Sequence, residues 1–173
     1  MDVFLIVARY VVSGTLLIAA SAKYLSPAVR AAAGVQVEEL LGPRWTPGAA
    51  GCWLAAAEAV AGVSAAVPAR LSVLPALAVL VLLTAGAGAL VARGSSTPCA
   101  CFGDRGRPLG ARHVACDGAL ALLAGAVLLQ GPVHGWPDSA LAAGLGAAIA
   151  FLVSRLDDMV DVLRVTQPER KVL

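Results

Sequence analysis

The sequence predicts an all-α fold, a polytopic membrane helix bundle with four core transmembrane helices plus a fifth, and three observations lead there. Hydrophobic residues make up 59% of the 173-residue chain and charged residues only 14%, against about a quarter charged in soluble domains. The apolar residues fall in continuous runs near the roughly 20 residues that a helix needs to cross the hydrocarbon core. The runs do not alternate with period two, so helices, not barrel strands, satisfy the backbone where water is absent.

The first run extends from Val3 to Tyr24 and is interrupted by Arg9. Ala20-Ser21-Ala22 has the small-residue pattern of a signal cleavage site, but the start lacks a basic region and Arg9 breaks the apolar stretch, so a retained helix is expected. The second run, Ala49 to Val67, carries Glu58 near its middle, and the third, Leu71 to Ala92, carries no charge. The fourth, Val114 to Gln130, has Asp117 in its first turns, and the fifth, Ser139 to Ser154, is short and rich in Ala and Gly. Beyond it Leu156, Met159, Val160 and Leu163 recur at helical spacing among charges, the pattern of an amphipathic helix. The expected organisation is a four-helix bundle over residues 1–130 with a cysteine-bearing loop at 93–113, a fifth span within 131–154, and an amphipathic or flexible tail over 155–173. The abundance of Gly and Ala allows the helices to approach closely.

Five spans put the Tyr24–Gly48 loop, the Arg93–His113 loop and the C-terminus on one side of the bilayer, here face B. Of 13 basic residues, only Arg9 and Arg70 fall toward the opposite side, face A. Basic residues in short loops favour the cytoplasm, so a cytoplasmic membrane location with face B inside is expected. The bilayer is the first partner, and no nucleic-acid partner is expected.

The chemistry is concentrated in the loop Pro98-Cys99-Ala100-Cys101-Phe102-Gly103. Two thiols one residue apart close a small, strained disulfide, and strain makes a disulfide more oxidising. Arg105, Arg107 and Arg112 supply positive charge that favours thiolate, the reactive form. Cys52 and Cys116 lie about one turn inside the second and fourth spans, both of which begin at face B. All four cysteines therefore come out at one face, and Cys52 with Cys116 could act as a second exchanging pair or serve as apolar packing. Asp117 beside Cys116 is either a carboxylate near a helix start or a proton acceptor for the neighbouring thiol. Cys99, Cys101, His113 and Cys116 also supply the ligand types of a zinc or copper site, though not at zinc-finger spacing. Among the charges inside spans, Arg9 and Glu58 lie at depths that differ by about 5 Å at 1.5 Å per residue, so an intramembrane Arg9–Glu58 ion pair is expected.

Arg9 and Gly14 in span one, Lys23-Tyr24 at its end, Glu58-x3-Gly62 in span two, and Arg93-Gly94 leading to Cys99-Ala100-Cys101-Phe102-Gly103 resemble the MauE branch of the DoxX-like membrane proteins. The similarity covers roughly Val3 to Gln130. Ala100 stands where members usually have Gly, and Arg112-His113 where an Arg-Asn pair often opens the fourth span. The resemblance implies a redox-associated membrane bundle that works beside a thioredoxin-like partner or a disulfide-containing client protein. It is similar in plan to quinone-linked disulfide-forming proteins, which admits a quinone as cofactor, although their Cys-x-x-Cys motif is missing here. A role in periplasmic disulfide chemistry would set the thiols outside, against the charge count. Three functions follow as expectations: a thiol–disulfide oxidoreductase, a metal-handling membrane protein, or a non-catalytic scaffold of a redox or biosynthetic complex.

Overall fold

The computed structural model describes residues 2–43, 46–98, 109–129 and 136–154. Among them six α-helices occur: α1 (Asp2–Leu25), α2 (Pro27–Leu41), α3 (Pro47–Ala66), α4 (Leu74–Ala92), α5 (Ala111–Leu129) and α6 (Trp136–Ser154), with one 3-10 turn at Arg70–Val73 before α4. Among the described residues four segments are long and apolar enough to cross a membrane: Val3–Leu25, Pro47–Ala66, Arg70–Ala92 and Ala111–Leu129. The predicted runs are these helices, with ends displaced by a few residues.

Local chemistry sets the boundaries. Ser26 opens α2 as its N-cap, its hydroxyl accepting from the Val29 N–H at 3.4 Å, and Pro27 occupies the first helical position, where no N–H is needed. Gly42, at φ +83°, ends α2 and donates to the Glu38 carbonyl at 2.8 Å. Gly94, at φ +69°, ends α4: its N–H bonds the Val91 carbonyl and the Ser95 N–H bonds the Leu90 carbonyl, both at 3.0 Å. That is a Schellman closure, which needs the left-handed residue that glycine supplies.

α1 is the central helix and touches α2, α3, α4, α5 and α6. The core around it combines Val11, Val12 and Leu16 of α1 with Ala61 and Ala65 of α3, Ala76 and Leu80 of α4, and Leu120, Ala124 and Val127 of α5. Large apolar side chains such as Phe4, Val60, Leu82 and Leu122 point outward, as lipid-facing surfaces do. α6 runs parallel to α1: Gly146 sits on Tyr10 and Val11, and Ala150 sits on Gly14. Its apolar stretch with described side chains, Leu141–Leu152, is shorter than the four spans.

α2 departs from the sequence reading, which treats the whole Tyr24–Gly48 stretch as a loop. At 15 residues it is too short to span a membrane, and its apolar periodicity is weak, so hydropathy does not register it. It folds back antiparallel on the start of α3. Gly34 lies against the Pro47 carbonyl and Gly51 against the Arg30 carbonyl, so closely that a Cβ at either site would collide with backbone. Two facing helices each present a small residue at the crossing, and the backbones meet. Backbone cannot yield as a flexible side chain can. Gly34→Val and Gly51→Val are therefore expected to destabilise by more than the roughly 1–3 kcal/mol typical of overpacking, whereas Gly48→Ala, with open space around it, is expected to be near neutral. Thermal unfolding of the three variants in detergent checks this; an unchanged midpoint for Gly51→Val would refute the close crossing.

Candidate functional site

The chain alternates direction through the bundle, so α3 and α5 start at the end where α1 and α4 finish. That end is face B, and α2 lies across it. The cysteine loop leaves from this face after α4 and returns at α5. Cys99, Cys101, Arg105 and Arg107 lie outside the described residues, as does the tail 155–173.

What the structure describes is the base of the loop. Thr97 is buried, and its carbonyl accepts from the Leu109 N–H at 3.0 Å, which joins the entering and returning chain. Leu109 is buried against Leu90, with Leu40 of α2 beside them. α2 also bonds the entering chain directly. The Gln36 side-chain amide donates to the Pro98 carbonyl at 2.8 Å. The Glu39 carboxylate accepts from the Ser95 hydroxyl at 2.8 Å and the Thr97 hydroxyl at 2.5 Å. Sequence reasoning misses Gln36 and Glu39. They lie in a segment without an apolar run, and only the path of α2 brings them to the loop.

Cys52 lies in the second turn of α3 and is exposed; Cys116 lies in the second turn of α5 and is half-buried. Cys52 is a free thiol. Asp117 is buried and lies one turn deeper than a residue meeting the helix dipole would. His113 uses Nδ1 to accept from the Gly110 N–H at 3.3 Å, a local role at the start of α5. Arg112 is exposed in the first turn of α5. Among the described residues no group of three or more His, Cys, Asp or Glu could hold a metal ion.

Below the loop base, α2, α3, α4 and α5 enclose a half-open cavity of about 300 Å³. Its walls are aliphatic: Val37 and Leu40 of α2, Leu54 and Ala57 of α3, Leu83 and Leu90 of α4, with Leu109 at the loop end. Gln36 and Asp117 are the polar side chains on its lining.

The intramembrane charges differ from expectation. Glu58 pairs with Lys23, not with Arg9: the Lys23 ammonium donates to both carboxylate oxygens at 2.9 Å. Both side chains are only 2% exposed. Lys23 sits in the last turn of α1 but turns back into the bundle. Arg9 instead serves the end of α3, donating to the carbonyls of Ala65 at 3.2 Å, Ala69 at 3.1 Å and Val67, and to the Ser72 hydroxyl at 3.1 Å. The physical reason is that a helix C-terminus leaves carbonyls without partners and carries partial negative charge. Arg9 lies level with those carbonyls, while Glu58 is seven residues before Ala65, about 10 Å along the axis.

Taken together, fold and site define a polytopic α-helical membrane protein that carries a cysteine loop on a clamped base at one membrane face. The chain belongs to the MauE family: residues 1–130 match the family model described as Methylamine utilisation protein MauE. No curated protein and no solved structure matches it.

Three predictions come from this geometry. Glu58→Leu leaves a buried ammonium without its counter-charge, a loss of roughly 3–5 kcal/mol for a buried pair, and Lys23→Met added to it is expected to restore most of the stability. A double-mutant cycle on Arg9 and Glu58 is expected to give no coupling, and a coupling above about 1 kcal/mol in thermal unfolding would restore the Arg9 pairing. Glu39, outside the spans, has its carboxyl held below the ordinary range, first by the Thr97 hydroxyl and then by that of Ser95. A folded-state pKa below the unfolded one gives a contribution present above the unfolded value, about 4.3, and lost as pH falls through the folded value. Hydrogen exchange of peptides covering 95–98, corrected for intrinsic rates, is therefore expected to be flat from about pH 8 to pH 5 and to rise in stronger acid, with the rise absent in Glu39→Gln.

Proposed function

We propose that this protein is a membrane thiol–disulfide redox protein that supports disulfide formation in, or electron transfer to, a partner protein. Cys99 and Cys101 are the exchanging pair. The observation that carries the reading is the Cys-x-Cys element itself, set inside the family-matched residues and held on a loop whose entry and exit are bonded to each other at the membrane surface. A loop fixed at its base presents its thiols to a partner at low entropic cost.

The exchange balances without further reagents. A client thiolate attacks one sulfur of the Cys99–Cys101 disulfide, forming a mixed disulfide and releasing the other cysteine as thiolate. A second client thiolate then attacks its own chain's sulfur in the mixed disulfide. The client ends with one disulfide and the loop with two thiols, each leaving thiolate taking up one of the two protons that the client thiols release. Run backwards, the same steps pass a pair of electrons to the partner, here a thioredoxin-like protein or a disulfide-containing client. Arg105, Arg107 and Arg112 favour the thiolate. Cys52 and Cys116, at the same face, are the second exchanging pair or its remnants, and Asp117 is a proton acceptor next to Cys116.

Regeneration of the loop disulfide needs an acceptor of two electrons and two protons. A quinone suits the cavity below the loop base, where aliphatic walls accept an apolar ring and tail and the Gln36 amide can donate to a ring oxygen. When bound it would supply that acceptor chemistry. α6 is read as the fifth span, which sets the C-terminus on face B. Face B is read as cytoplasmic from its basic residues. A metal-handling role for Cys99, Cys101, His113 and Cys116, and a scaffold role without chemistry, are the competing readings that the following experiment separates.

Alkylation with a membrane-impermeant maleimide, read as a mass shift in intact cells and inverted vesicles, tests the proposal. Cys99 and Cys101 are expected to label only after reduction, and in inverted vesicles only. Labelling in every redox state, or protection that a chelator removes, would replace the redox reading with scaffolding or metal binding.

A further inference from the structure

The cavity at face B has the length, the opening and the rim of a site for one membrane lipid. Along α4 its lining runs from Leu90 down to Val79, about 16 Å at the helical rise. One leaflet of the hydrocarbon core is half of roughly 30 Å, so the chamber reaches from the membrane surface to about the midplane. A volume of about 300 Å³ spread over that length is a slot one alkyl chain wide. The slot opens sideways. Leu82 and Leu41 both line it, yet they are 71% and 68% exposed, and Leu82 lies well inside the Arg70–Ala92 span. What enters through that mouth comes from lipid, not from water.

The rim carries two opposite charges. Arg93 stands one turn beyond Leu90. It is on the same stripe of α4 as Gly86, which lies against Leu40 of α2. Glu39 is the neighbour of Leu40, and both charged residues are exposed. The Glu39 carboxyl is held low first by the Thr97 hydroxyl, then by that of Ser95, and also by the Arg93 charge, so the two groups lie within each other's field. Both hydroxyls bond Oε2. That fixes the carboxylate and leaves Oε1 open to a further donor.

We propose that this chamber holds one acyl chain of a phosphatidylethanolamine from the face-B leaflet, with the phosphate on Arg93 and the ammonium on Glu39. A guanidinium pairs with phosphate, and a carboxylate oxygen accepts from an ammonium, in charge-assisted bonds. A headgroup with both charges matches the rim, whereas a purely anionic one meets Glu39 with a like charge. The quaternary ammonium of a choline headgroup has no N–H to donate. Asp117 also borders the chamber, but it is buried six residues into α5 and lies below the level of the headgroup. The same chamber is offered above to a quinone, which would enter by displacing the lipid chain. The proposal uses no cysteine and stands apart from the exchange role.

The test is native mass spectrometry of the full-length protein, delipidated in detergent and titrated with dioleoyl phosphatidylethanolamine, phosphatidylcholine or phosphatidylglycerol. One phosphatidylethanolamine is expected to be retained about tenfold more strongly than either of the others, the difference that one charge-assisted hydrogen bond makes. Glycerophosphoethanolamine, which has the headgroup and no chain, is expected not to bind. Arg93→Gln is expected to weaken retention of phosphatidylethanolamine about tenfold, and Glu39→Gln to erase its advantage over phosphatidylglycerol. Ala87→Phe, which fills the slot from α4, is expected to abolish retention. If that variant does not accumulate, the two rim variants, at exposed sites, decide the matter. Equal retention of the three lipids by the unaltered chain, or a preference that both rim variants leave untouched, overturns the proposal. Binding of glycerophosphoethanolamine as strong as that of the lipid overturns it as well, because the chain then contributes nothing. None of these readings depends on the redox state of the cysteines, so the proposal and the exchange role fail or stand separately.

Discussion

The seam between α1 and α3 holds the bundle in register, and three polar side chains of α1 make it. Arg9 bonds the carbonyls at the end of α3, Ser13 donates to the Gly62 carbonyl at 2.8 Å, and Lys23 pairs with Glu58. Along α1 these contacts run in one order, and along α3 they run in the opposite order, as antiparallel helices require. In hydrocarbon no water replaces a lost partner, so sliding either helix by one turn breaks all three contacts at once. Apolar contacts in lipid carry little such penalty, because a lipid chain is as apolar as Leu. Gly62 completes the seam by giving Leu17 and the Ser13 backbone room to approach.

The rest of the architecture is arranged on that seam. α6 lies along α1 where Gly14 and Gly146 lower the profile of both helices. α2 uses the same device at Gly34 and Gly51 to lie flush on α3, and from there it reaches the end of α4 and the loop base. The cavity follows from this placement. α2, α3, α4 and α5 line it at face B, almost entirely with aliphatic side chains. The base of the loop therefore stands over an apolar chamber, and Gln36 of α2 touches both. Membership of the MauE family agrees with a membrane-embedded bundle of this kind, and the match ends at residue 130, before α6 begins.

Much of the fold is legible without coordinates, for a simple reason. Bilayer thickness imposes a length on apolar runs, and composition alone reveals that length. The four spans, their order and the face that carries the cysteines all follow from it. The Cys-x-Cys element is equally legible, because its chemistry resides in adjacent residues. α2 is not legible in this way. Its helix rests on a Ser-Pro start, a Gly-Pro end and packing against α3, none of which hydropathy measures.

The amino-acid sequence by itself determined that this is a helical membrane bundle with its thiols at one face, since desolvation of long apolar runs and local cysteine spacing are properties of the chain alone. The tertiary structure decided which charges meet. A depth count favoured Arg9 for Glu58, whereas Lys23 is the partner. The outcome turned on where the unpaired carbonyls of α3 end up and on how far a lysine can turn back into the bundle, which depend on helix register. The tethering of the loop by Gln36 and Glu39 was decided in the same way, because hydrogen bonds across about sixty residues of sequence exist only once α2 has been laid against α3 and α4.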